Sequence, residues 1–135
     1  IKFIKDNREI IEGIDTVTFV PAHHGWLNDR EYNQSAILAS AVSREFKIPL
    51  SRPLEKTALT KRQNELARDE RLTNLMGMFK VNLPDGAKDS AVIRNARILL
   101  IDDVMTTGAT LNECSKTLKS AGAKEIRCFT LARGI

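Results

Sequence analysis

The amino-acid sequence predicts an α/β fold, a mainly parallel sheet flanked by helices, and three observations carry that reading. The run "ILLI" at residues 98–101 is continuously apolar, the pattern of a strand buried on both faces. Two segments, one from Glu31 to about Phe46 and one from Ala109 to Ala121, place their apolar residues at steps of three and four, as amphipathic helices do. Strand-like and helix-like segments also alternate along the chain, which favours strand–helix–strand units over a meander.

Taken in order, "DTVTFVPA" is rich in β-branched and aromatic residues and is stopped by Pro21, so it predicts a buried strand ending near Val20. The loop "PAHHGWLNDR" follows. In the next helix Ile37, Leu38, Ala41, Val42 and Phe46 form the apolar stripe, and Pro49 lies just past its end. From Leu54 to Phe79 the chain is polar and highly charged: its first half reads as a mobile loop, and its second half, "NELARDERLTNLMGMF", as a helix ending near Gly77. Turn residues fill "NLPDGAKDSAVIRN" ahead of the "ILLI" strand. In the last helix Leu111, Cys114, Leu118 and Ala121 share one face, Gly122 closes it, and "EIRCFTLA" makes a final strand.

The 135 residues suit one domain spanning 1–135. Apolar and charged contents of 42% and 28% are those of an ordinary globular chain, and no apolar run is long enough for a membrane helix. The two cysteines, Cys114 and Cys128, lie within apolar patterns and have no second pair with which to build a metal or disulfide framework. Both are expected in the core of a cytoplasmic protein, with no membrane partner. The net charge of +4 favours anionic ligands, leaving nucleotide, pyrophosphate and single-stranded nucleic acid all open.

The chemistry concentrates in "RILLIDDVMTTGATL". Ligands of parallel α/β sheets bind at the carboxyl ends of strands, where Asp102 and Asp103 stand after "ILLI". Thr106, Thr107, Gly108, Ala109 and Thr110 then occupy the turn into a helix, whose free N–H groups and positive dipole end favour an anion. Gly108 admits close approach of the backbone, and the threonine hydroxyls add donors. Adjacent carboxylates accept hydrogen bonds from vicinal hydroxyls and also suit a hard cation such as Mg²⁺. Sugar hydroxyls beside a phosphate describe a ribose 5-phosphate. A receiver domain also ends its first strand in paired acids, but it needs more β/α units than the roughly thirty residues after this pair allow.

The stretch "ILLIDDVMTTGAT" resembles, position by position, the phosphoribosyl pyrophosphate (PRPP) binding motif of the type I phosphoribosyltransferases. The resemblance narrows to the competence protein F (ComF) family through "VPA", "REYNQ", the ordered set Gln63, Leu66, Arg71, Asn74 and Phe79, and "AGAKEIRCFTLAR". It departs where His23 replaces a repeated proline and Glu31 a glycine. The zinc-binding cysteine cluster common at the amino terminus of family members is not among these residues, and the chain starts at Ile1, so a trimmed piece or a short lineage is expected.

The resemblance implies the type I phosphoribosyltransferase fold and phosphoribosyl transfer from PRPP with Mg²⁺. Asp102 and Asp103 would hold the ribose 2′ and 3′ hydroxyls and help hold the metal, and residues 106–110 would hold the 5-phosphate. Ala22, His23 and His24 would face pyrophosphate, and Lys61 or Arg62, from a segment able to close over the site, would neutralise the leaving group. In oxopurine salvage enzymes of this fold an acid stands where this chain has Thr106, which argues against purine salvage. The family's competence role implies a rival reading, a non-catalytic module that handles single-stranded DNA alongside competence proteins. Trp26, Tyr32 and Phe79 would be its stacking residues.

Overall fold

The computed structural model describes residues 1–21, 34–56, 79–81, 93–105 and 108–133. Its centre is the strand β4 (Arg97–Met105), which pairs in parallel with β1 (Thr16–Phe19) on one side and β5 (Glu125–Arg133) on the other. The order β1-β4-β5 makes "ILLI" the middle of the sheet, and Ile98, Leu99, Leu100 and Ile101 are all fully buried. The continuous apolar run has its physical cause here, because alternate side chains enter two different cores.

Ile98 and Leu100 join Leu111, Cys114 and Leu118 of the helix α3 (Ala109–Ser120). Leu99 and Ile101 join Val17, Phe19 and, from the helix α2 (Gln34–Phe46), Ala39 and Val42. A helix therefore covers each face, as the sequence predicts. The second core is closed by Ile4 of the short helix α1 (Lys2–Asp6) and by Ile14. Past α1, a 3₁₀ turn at Arg8–Ile10 leads to a tether from the sheet: Nη1 of Arg127 on β5 donates to the carbonyls of Glu9, Ile10 and Glu12 at 2.8, 3.3 and 2.7 Å.

Helix ends follow local chemistry. Lys47 takes a left-handed φ of 55° just past α2, whose last turn is tied by the Ser43 hydroxyl donating to the Ile48 carbonyl at 2.6 Å. After α3, Gly122 at φ 110° turns the chain so that the Ala123 N–H reaches back to the Leu118 carbonyl at 3.1 Å. A side chain is rarely tolerated at that φ, which is why glycine ends the helix.

Several expectations are corrected. The stretch expected to open as a loop begins with a strand, β2 (Leu54–Lys56), paired antiparallel with β3 (Phe79–Val81). Phe79, two residues past the expected helix end at Gly77, is thus a strand residue. Three-residue strands are too short to show a period, and this pair forms because Leu54 and Phe79 are buried against the core beneath α3. The helix expected from Asn64 lies outside the described residues. Of the expected stripe, Val42 is buried and Leu38 and Phe46 pack partly buried against the core, but Ile37 is 50% exposed, and Ser35 and Ala39 complete the buried line of α2. Cys114 is buried as expected, whereas Cys128 is exposed on β5, the edge strand of the described sheet, with its sulfur 3.5 Å from the Ser115 hydroxyl of α3. Among the described residues, no helix is long and apolar enough to cross a membrane.

Candidate functional site

The site is built where β4 outlasts one of its neighbours. The β1 register ends at Phe19 opposite Ile101, while β5 continues past it, with Thr130 opposite Asp102 and Ala132 opposite Val104. Asp102 and Asp103 therefore lie within the strand, not after it as expected, because β5 goes on supplying backbone partners. They sit at the carboxyl edge, the position at which parallel α/β sheets bind ligands. Chain direction brings more of the site there: Val20 and Pro21 leave β1 at this edge, and α2 starts its return path from it.

Both acids are half-buried. One oxygen of Asp102, Oδ1, accepts from the Ser35 hydroxyl at 3.0 Å and from the Asp103 N–H at 2.9 Å, and that N–H also reaches the Ser35 oxygen at 3.1 Å. Burial raises the Asp102 carboxyl above its usual range, and these two donors oppose the rise. Ser35 is only 4% exposed and lies in the first turn of α2. Sequence reading missed it, since a serine near a helix start is ordinary and nothing local points to a partner 67 residues away.

On the other side of the acids, Gly108 is the N-cap of α3, with φ 81° and ψ −2°. This left-handed geometry suits glycine and turns the chain sharply from β4 into the helix. Among the described residues no side chain caps this terminus, and the first turn of the helix holds no acid. Ala109 and Thr110 are its first two residues. Thr106 and Thr107 lie outside the described residues, as do Ala22, His23, His24, Lys61 and Arg62.

For a divalent cation the donor set is Asp102 and Asp103, hard carboxylate oxygens of the type Mg²⁺ prefers. Among the described residues there is no group of three or more His, Cys, Asp or Glu to form an all-protein cage. Two adjacent carboxylates are a set Mg²⁺ commonly takes, its shell completed by water and phosphate oxygens. Cys114, by contrast, is no nucleophile: burial first, and the Asp102 charge second, push its thiol far up, so it stays protonated.

Residues 32–135 match the family described as Phosphoribosyl transferase domain. The chain is 37% identical over 115 residues to competence protein F of Haemophilus influenzae, covering 84% of this chain and 48% of that protein. It is 34% identical over 105 residues to the competence protein ComFC of Streptococcus pneumoniae, covering 78% and 42%. Against the DNA utilization protein YhgH of Escherichia coli K12 it is 30% identical over 105 residues, covering 77% and 43%. The chain thus spans about half the length of the curated relatives it matches.

Among solved structures, a purine phosphoribosyltransferase from Pyrococcus horikoshii aligns with a TM-score of 0.56 at 20% identity, covering 97% of this chain and 69% of that one. A hypoxanthine phosphoribosyltransferase from Staphylococcus aureus aligns with a TM-score of 0.53 at 18% identity, covering 98% and 59%. At such identities the likeness is one of fold: a parallel sheet with helices on both faces. Given the matched residues, the shared fold and the curated relatives, this chain belongs to the phosphoribosyl transferase domain family, on its competence protein F branch.

Proposed function

We propose that this chain binds PRPP, or another ligand carrying ribose 5-phosphate, together with Mg²⁺, and transfers the phosphoribosyl group in a process linked to DNA uptake. The observation that carries the reading is the placement of Asp102 and Asp103 at the carboxyl edge of β4, with Gly108 and the amino terminus of α3 following them in the chain. Vicinal ribose hydroxyls donate to the two carboxylates, and the 5-phosphate takes donors from residues 106–110. The names of the relatives, which refer to competence and DNA utilization, support the process and not the acceptor.

In this reading the acceptor forms a bond to C1′ as the bond from C1′ to the pyrophosphate oxygen breaks, and that electron pair leaves with pyrophosphate. Mg²⁺, when bound, neutralises phosphate charge next to the acids. Ala22, His23 and His24 offer backbone and imidazole donors to the pyrophosphate, and Lys61 or Arg62 offsets the charge that develops on it. The acid pair orients the ribose so that C1′ faces its acceptor.

Calorimetric titration of one sample with PRPP plus Mg²⁺ and, separately, with single-stranded DNA tests the proposal. Saturable one-to-one PRPP binding supports it. Binding of DNA alone, weakening steeply with salt, would replace it with the rival reading of a DNA-handling module.

A further inference from the structure

We infer that Ser35 is a positioning residue that fixes which oxygen of Asp102 meets the ligand, an inference that rests on the ribose-binding reading above. The hydroxyl of Ser35 has one proton, and it goes to Asp102 Oδ1 at 3.0 Å; its oxygen then accepts the Asp103 N–H at 3.1 Å. The same N–H reaches Asp102 Oδ1 at 2.9 Å, which closes a small ring of hydrogen bonds between the first turn of α2 and the end of β4. A serine 4% exposed must satisfy its hydroxyl within the protein, and here it does so only on the acid pair.

The consequence is geometric. With Oδ1 held by two donors, the Asp102 carboxylate cannot rotate freely, and Oδ2 is the oxygen offered to a ligand hydroxyl. A preorganised acceptor loses less rotamer freedom when a diol arrives. The ring also ties the strand that carries the acids to the first turn of α2. A shift of α2 along its axis would therefore re-aim Asp102.

The test compares wild type, Ser35→Ala and Ser35→Thr by calorimetry with ribose 5-phosphate and with inorganic phosphate, and by the amide proton resonance of Asp103. Ser35→Ala should bind ribose 5-phosphate about tenfold more weakly, the size of one hydrogen bond to a charged group. Inorganic phosphate should bind it as it binds wild type, because phosphate presents no ribose hydroxyls. Ser35→Thr, which keeps the hydroxyl, should restore both the affinity and the Asp103 amide shift. Unchanged ribose 5-phosphate affinity in Ser35→Ala, or equal losses for both ligands, would overturn the inference while leaving the ribose site in place. If wild type itself binds no ribose 5-phosphate, the ribose-binding reading fails and the inference falls with it.

Discussion

Replacing Asp102 with asparagine separates binding from folding, because the structure makes the two effects opposite in sign. The amide oxygen of Asn can occupy the Oδ1 position and accept from both Ser35 and the Asp103 N–H, so the hydrogen-bond ring survives. What is lost is the charge, which half-burial holds in a poorly solvated place and which raises the carboxyl above its usual range. A raised acid binds its proton more tightly in the folded than in the unfolded chain. The carboxylate therefore weakens the fold progressively as pH rises from the ordinary Asp value of 3.8 through the raised one, and imposes no penalty below both.

Asp102→Asn should accordingly melt above wild type at pH 7, and the difference should shrink toward zero near pH 3. Binding should move the other way. A hydrogen bond to a charged acceptor contributes ~1.5–3 kcal/mol against ~1 kcal/mol for a neutral one, so each acid exchanged for an amide should cost about 1–2 kcal/mol, roughly 5–30-fold in ribose 5-phosphate or PRPP affinity. Adding Asp103→Asn should bring the loss to ~2–4 kcal/mol, enough to abolish PRPP binding at micromolar concentrations. Calorimetry and circular-dichroism melts on the same samples measure both effects. Unchanged affinity in the folded double variant would refute the ribose assignment, and a lower melting point for Asp102→Asn at pH 7 would refute the burial argument.

Three further outcomes are expected. Alanine at both Lys61 and Arg62 should weaken PRPP or pyrophosphate binding strongly and ribose 5-phosphate binding little, because only the former present a pyrophosphate; equal losses in calorimetry would show that these residues act by general charge. Thr18 is 1% exposed and its hydroxyl has no partner among the described residues, so Thr18→Val should gain about 1 kcal/mol in urea unfolding, and a loss would mean that the hydroxyl is satisfied. Arg127→Met removes the guanidinium shared by three carbonyls of the amino-terminal segment and should cost about 1–3 kcal/mol in the same assay, with faster amide exchange at residues 10–14; unchanged exchange there would show that Arg127 is not what holds the segment.

The sequence alone determined the parts whose cause is local. "ILLI" had to be a strand buried on both faces because it has no polar face to offer, and it became the central strand of the described sheet. Leu111, Cys114 and Leu118 lie on one face of a helix, and all three are buried. The paired acids followed by threonines and a glycine already resemble the phosphoribosyltransferase motif in the sequence, and the chain matches that family. Tertiary structure decided what depends on neighbours distant in the chain. Asp102 and Asp103 stay within the strand because β5 outruns β1 beside them. Cys128 is exposed because its strand falls at the margin of the described sheet, and β2 and β3 pair because Leu54 of one and Phe79 of the other reach the same core. Ser35 meets Asp102 across 67 residues, a contact without periodicity, since a hydroxyl at the start of a helix has the same local signature whether it faces water or a carboxylate.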